Sequence, residues 1–296
     1  MFDLTILAPA VLNGLMVGAV YALVALGLTL IYGVLHIINF AHGALLMVAL
    51  YGVYFLYSLG GVDPYLALPV MVPVMFAIGY GLQRGVIGRS LSNKKKSRNN
   101  DANVMLVTLG LSIVIENLAL YFWHADTRTI DTPYALAVVD IGIAILPVPK
   151  LIAFAGAVVV AAILWLLMAR TDLGRAIRAV SKESRGAQLM GIDVEHIYAM
   201  SFGVGTACLG AAGCLLLPSI YVEPGVGHIF VLVAFTVVVL GGMGSIVGAL
   251  VGGLIIGVTE SLCGLYLGES LGQIGIFIIF IAALMFKPTG IFGQRA

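Results

Sequence analysis

Between residues 170 and 197 the chain reads RTDLGRAIRAVSKESRGAQLMGIDVEHI, the one long polar stretch in an otherwise apolar sequence. Apolar runs long enough to cross a bilayer flank it on both sides. Arg170, Arg175, Arg178, Lys182 and Arg185 share it with Asp172, Glu183, Asp193 and Glu195. The punctuation predicts short helices: Asp172 caps one start, Gly191 stops a helix, and Asp193 caps the next start. Plain connections need only a few residues, so a stretch of this length is expected to be a structured surface. The competing reading is a solvated basic loop that only fixes topology.

Outward from that stretch the solvent of the chain is lipid. Of 296 residues, 61% are hydrophobic and 10% charged, against about 25% charged in soluble domains. Such a chain cannot wrap one core in a polar surface. It is read as an all-α, polytopic membrane helix bundle, a single transmembrane domain over residues 1–296. Cys208, Cys214 and Cys263 sit in apolar, glycine-rich segments and look like buried small residues, not a disulfide framework or a metal site. The start lacks a basic region before its apolar run, so the first segment is expected to be a retained span.

Spans of about 20 apolar residues are expected at 11–32, 65–87, 104–123, 151–169 and 198–217. Residues 33–46 mix Gly33, His36, Asn39, His42 and Gly43 into an apolar context, which predicts a broken or tilted helix running on to about residue 59. Pro69 and Pro73 are expected to kink the next span. Residues 124–150 read as a polar loop and 218–228 as a turn. The run at 229–240 is short, a glycine-rich span follows it, and a last span covers 271–286. The total is about eight full spans plus one short or broken segment. Gly14 and Gly18, and again Gly244, Gly248 and Gly252, fall four apart and offer smooth faces for close helix packing.

Basic residues give the orientation. Thirteen of the fifteen Lys and Arg lie in 84–98, in 170–185 and in the tail. All three fall on one side if 104–123 and 151–169 are single crossings. The positive-inside bias makes that side the cytoplasm, with the N-terminus outside and the C-terminus inside. The same bias makes Lys94–Lys96 a membrane-flanking anchor and not a nucleic-acid patch.

No phosphate loop, HExxH or paired-cysteine pattern is present, so no catalytic residue, metal site or cofactor is assigned to the chain. Ionisable groups inside the spans are few: His36, His42, Glu116 and Glu260. A self-powered carrier usually shows charged relays there, so the pattern suits a pathway subunit driven from elsewhere. His36 and His42 are read first as groups that bond the freed backbone of a broken helix, and Asn39 likewise. Glu116 has no Arg or Lys in its own span. Beside Asn117, it is read as a neutral hydrogen-bonding group. The competing reading is a carboxylate that reaches the interface by tilt.

Four stretches carry a resemblance: ALGLTLIYGVLHIINFAHGALL (25–46), GRAIRAVSKESRGAQLMGI (174–192), VLGGMGSIVGALVGGLIIG (239–257) and KPTGIFG (287–293). In that order they resemble the LivH-type inner-membrane permease subunit of branched-chain amino acid ABC importers. The resemblance runs from about Asn13 to Gly293. It implies a second homologous permease, two ABC ATPases that hold ATP and magnesium, and a periplasmic substrate-binding protein. Residues 170–197 would carry the coupling helix. The nearest match to the family's EAA-then-glycine pattern is Arg185-Gly186-Ala187 followed by Gly191, without the glutamate. Arg178, Lys182, Arg185, Gly186, Ala187 and Gly191 are then the expected ATPase-coupling residues. Asn39, Phe40, His42, Glu116 and Asn117 are the candidates for the translocation path. Relatives that import urea, short amides or other organic acids share the pattern. A stand-alone carrier or channel is the reading from another class.

Overall fold

The computed structural model describes residues 4–92, 100–142, 144–268, 271–287 and 289–293. The chain is a helix bundle, as its composition requires. Helix α1 (Leu4–Leu35) is 32 residues long, seven residues longer at its start than the span read from the sequence. It is the central strut and touches α11 (Ile246–Leu267), α9 (Val194–Leu216), α6 (Val148–Arg170) and α10 (Val226–Gly241). Glycine lets it do so. A β-carbon on Gly18 would lie 2.7 Å from the Gly253 carbonyl oxygen, and one on Gly253 would lie 2.6 Å from the Ala22 Cα. Lipid gives helices no hydrophobic reason to associate, so such backbone contact is what holds α1 to α11.

Gly248 and Gly252 of α11 face α10 instead, with Gly248 seated on Gly241. Gly244 departs from the expected helical face. It lies in the loop between α10 and α11 at φ +87°, against Gly33. The loop must turn sharply there, so the fourfold spacing does not continue into it.

The predicted helix break falls at 36–41. His36 takes a left-handed φ of 54°, and α2 (His42–Gly60) starts afresh. That start is inside the bundle, because His42 is fully buried beside Val24, midway along α1. Helix α10 also begins in the interior. Gly227 and Gly43 approach so closely that a β-carbon on either would overlap the other's backbone.

Helix α3 (Leu68–Leu82) takes Pro69 in its first turn, where the missing N–H costs nothing, so only Pro73 lies in the helix interior. A π-helical turn (Gln83–Ile87) joins α3 to α4 (Gly88–Ser92). The anchor at Lys94–Lys96 lies outside the described residues. Helix α5 (Asn100–Trp123) follows and leaves most of its surface uncovered. The expected loop at 124–150 contains a hairpin, β1 (Val138–Asp140) against β2 (Ile145–Pro147), with Val139 opposite Leu146. Leu146 is buried against Met16, and burial of this apolar face sets the hairpin.

Among the described residues seven helices are long and apolar enough to span a membrane, and α10 and α12 (Gly272–Phe286) are shorter. The expected eight-plus-one is therefore seven-plus-two. A 15-residue helix rises only about 22 Å, short of the ~30 Å hydrocarbon core.

The bundle has two distinct ends. At one, Ser181 donates to the Gly33 carbonyl at the close of α1, and the Ile291 N–H reaches the Leu240 carbonyl at 2.8 Å. At the other lie the hairpin and the pairing of Arg128 with Val222.

Candidate coupling surface and membrane crevice

The polar stretch folds as two short helices, α7 (Asp172–Lys182) and α8 (Ser184–Leu189). Thr171, not Asp172, caps α7. Its hydroxyl accepts from the Gly174 N–H at 3.1 Å while donating to the Leu167 carbonyl at 2.7 Å. Thr171 has the extended backbone a cap requires, and Asp172 takes up the first turn, where its charge suits the helix dipole. Glu183 caps α8 by accepting from the Arg185 N–H, and Asp193 caps α9 by accepting from the His196 N–H at 3.1 Å. Gly191 turns the chain at φ +85°.

Helix α7 is amphipathic. Gly174, Ile177 and Val180 are buried against the bundle, and Arg175, Arg178 and Lys182 lie on the open side. Arg178 also ties back, donating to the Met168 carbonyl at the end of α6. Arg175 pairs with Asp172 on its own helix. Lys182 and Arg185 are exposed at the joint between α7 and α8. Ala187 is buried within the chain, Gly186 is half-buried, and Gly191 has open space around it. Of the small residues proposed to seat a partner, only Gly186 and Gly191 are therefore reachable. At the tip of α8, Leu189 is 89% exposed and Met190 84%. Among the described residues nothing covers these two apolar side chains.

Inside the bundle, the break between α1 and α2 is held by side chains. Asn39 Oδ1 accepts from the Ala41 N–H at 3.1 Å, and its Nδ2 is buried without a partner among the described residues. His42 Nε2 meets the Val24 carbonyl at 2.9 Å and so clamps α2 to α1. The Phe40 N–H donates to Thr108 Oγ1 on α5 at 3.3 Å. Phe40, Ser112, Glu116 and His228 line a narrow crevice where the starts of α2 and α10 meet α5. Glu116 is not alone there, since its Oε1 lies 2.9 Å from His228 Nε2. Asn117 turns away and bonds the Ile113 carbonyl of its own helix. The candidate path residues thus divide. Phe40 and Glu116 share the crevice, Asn39 and His42 are buried behind it, and Asn117 faces out.

A model of the branched-chain amino acid transport system permease component matches residues 10–286. The chain belongs to this permease family. It is 32% identical to the high-affinity branched-chain amino acid transport system permease protein BraD of Pseudomonas aeruginosa, covering 95% of this chain and 94% of that one. It is 29% identical to the permease protein LivH of Escherichia coli K12 over the same shares. It is also 31% identical to a probable LivH of Methanocaldococcus jannaschii, over 92% of this chain and 88% of that one. No solved structure matches it.

As a permease, the chain shows two features that the sequence reading passed over. Leu189 and Met190 were legible as an apolar pair just before a helix stop, in a segment otherwise polar. The His228 partner of Glu116 was not, because it lies 112 residues away on another element.

Proposed function

We propose that this permease forms half of the translocation pathway of an ATP-driven importer of branched-chain or related amino acids. A second permease completes the path, a periplasmic binding protein delivers substrate, and two ATPases act through α7 and α8. The α7–α8 end then faces the cytoplasm and the hairpin end faces outward, in a bacterial inner membrane. The relatives' names supply the substrate class, and the basic residues of 170–185 support the orientation.

The observation that carries the reading is the tip of α8. Leu189 and Met190 are open and apolar, on a short helix that also exposes Arg185, is capped by Glu183 at its start and is anchored by buried Ala187. Fully desolvated apolar anchors ringed by polar groups dominate most protein interfaces. A rigid helix with such a tip can carry a nucleotide-driven motion of a partner into α6, α9 and α1. The cations add selectivity and encounter rate more than affinity.

The experiment is copurification of the ATPases with Leu189→Asp and Gly186→Trp variants, together with leucine uptake. Because position 189 is exposed, the aspartate leaves the permease folded and inserted. It is expected to weaken ATPase binding by about 2 kcal/mol, on the order of thirtyfold, and to abolish uptake. Gly186→Trp is expected to do the same. Normal ATPase recovery and uptake in both variants would place the contact elsewhere.

A further inference from the structure

A cleft of about 320 Å³ opens at the α7–α8 end, between α1, α6, α7 and the start of α11. Its lining holds one charged side chain, Arg178, and no carboxylate. Arg178 Nη1 donates to the Met168 carbonyl, which fixes the guanidinium where α6 ends. A guanidinium carries five N–H donors, and among the described residues no carboxylate pairs with this one. Two hydroxyls share the cleft. Ser181 donates to the Gly33 carbonyl, and Ser245 Oγ accepts from the Gly248 N–H at 3.0 Å, which leaves its own O–H to donate. The first turn of α11 adds the positive end of a helix dipole. The remaining walls are apolar, with Leu30, Val34 and Trp165 among them. Trp165 is 53% exposed, and Ile163 and Leu166 of the same helix are open as well. Trp165 stands five residues before Arg170, about 7.5 Å inward from that end of α6. Tryptophan so close to the end of a span marks a membrane interface.

We propose that this cleft binds an anionic phospholipid of the leaflet at the α7–α8 end. The phosphate accepts from Arg178 and Ser245, and an acyl chain lies along Trp165. Each alternative occupant leaves something unmatched. A water-soluble anion leaves the apolar walls bare. A zwitterionic phospholipid brings an ammonium, and no carboxylate in the lining receives it. A helix of a partner subunit has to carry a carboxylate into the membrane to meet Arg178, which insertion penalises. Basic pockets between spans on the cytoplasmic side are where anionic headgroups collect. That this leaflet is the cytoplasmic one rests on the orientation proposed above. The lipid bridges α7 to α1, α6 and α11. It also separates the role of Arg178 from that of Lys182 and Arg185, which stay open to a protein partner.

The test uses the whole importer, with its partner permease and ATPases, in nanodiscs of phosphatidylethanolamine with a minor fraction of phosphatidylglycerol. A benzophenone amino acid at position 247, exposed on the rim of the cleft, is photoactivated, and its adducts are identified by mass spectrometry. Phosphatidylglycerol adducts are expected several-fold above the share of that lipid in the disc. Phosphatidylcholine at the same fraction is expected to show no excess, a comparison that needs no variant. Arg178→Gln is expected to return phosphatidylglycerol adducts to the disc share while the complex still elutes intact on gel filtration. Arg175→Gln, one turn away and outside the cleft, is expected to keep the excess. Millimolar glycerol 3-phosphate is expected not to compete. The proposal is overturned if adducts follow the disc composition, if phosphatidylcholine shows the same excess, or if an intact Arg178→Gln importer keeps it. It is overturned equally if Arg175→Gln removes the excess, if glycerol 3-phosphate abolishes it, or if the main adduct is an ATPase or permease polypeptide. Both faces of a nanodisc offer the same lipids, so the result does not depend on orientation. Labelling of a cysteine at position 185 from outside whole cells refutes the orientation alone, and adducts without excess refute the lipid site alone.

Discussion

His42 and Glu116 show how two polar side chains inside a membrane bundle are accommodated differently. His42 is fully buried and spends Nε2 on the Val24 carbonyl, a contact that joins two helices at a chain break. Removing it leaves the break without its clamp. His42→Ala is expected to lower the stability of the purified permease complex by about 1–3 kcal/mol, read as an earlier thermal unfolding transition. Unchanged unfolding would mean that the glycine contacts alone hold α2. Glu116 instead bonds the side chain of His228 across the crevice. Glutamine keeps an acceptor at the same place, so Glu116→Gln is expected to support near-normal uptake and Glu116→Leu to lose it. His228→Leu is expected to match Glu116→Leu, and the double leucine variant to add little beyond either, as coupled partners behave. A dead glutamine variant beside an active aspartate would show that the charge itself is required.

At the scale of elements, glycine spacing was readable and glycine partners were not. The fourfold repeats at Gly14 and Gly18 and at Gly248 and Gly252 announce close packing. That α1 meets α11 while Gly248 meets α10 depends on pairings more than 200 residues apart for the first and on a sharp loop for the second. The same limit hid the hairpin at 138–147, whose fixing contact is with Met16. Local signals fared better. The break at 36–41, the stop at Gly191 and the cap at Asp193 all rest on neighbours within a few residues. Thr171 displaced Asp172 as a cap by a single position, a margin that residue types alone do not resolve. Gly253→Val drives a side chain into the α1 backbone and is expected to reduce folded yield sharply, as judged by monodisperse gel filtration. Gly110→Ala, with open space at its β-carbon, is expected to be neutral or stabilising by about 0.5–1 kcal/mol. Equal yields from the two variants would refute the glycine seam.

For the whole molecule, the polar stretch at 170–197 organises the account because it distinguishes one end of an apolar bundle from the other. All of α7 and α8 lies at the end where α1 stops and where the last described residues return to Leu240 and Gly241. If that end is cytoplasmic, single cysteines at positions 185 and 189 are expected to resist an impermeant thiol reagent in whole cells, and one at 131 to react. Labelling at 189 from outside would invert the topology. The most direct measurement of the central claim is site-specific photo-crosslinking from position 189 in the assembled importer, with position 59 at the far end of α2 as the control. Position 189 is expected to crosslink to the ATPase, with a yield that changes when ATP and vanadate are added, and position 59 is not. An assembled, active importer that gives no ATPase crosslink from 189 would contradict it.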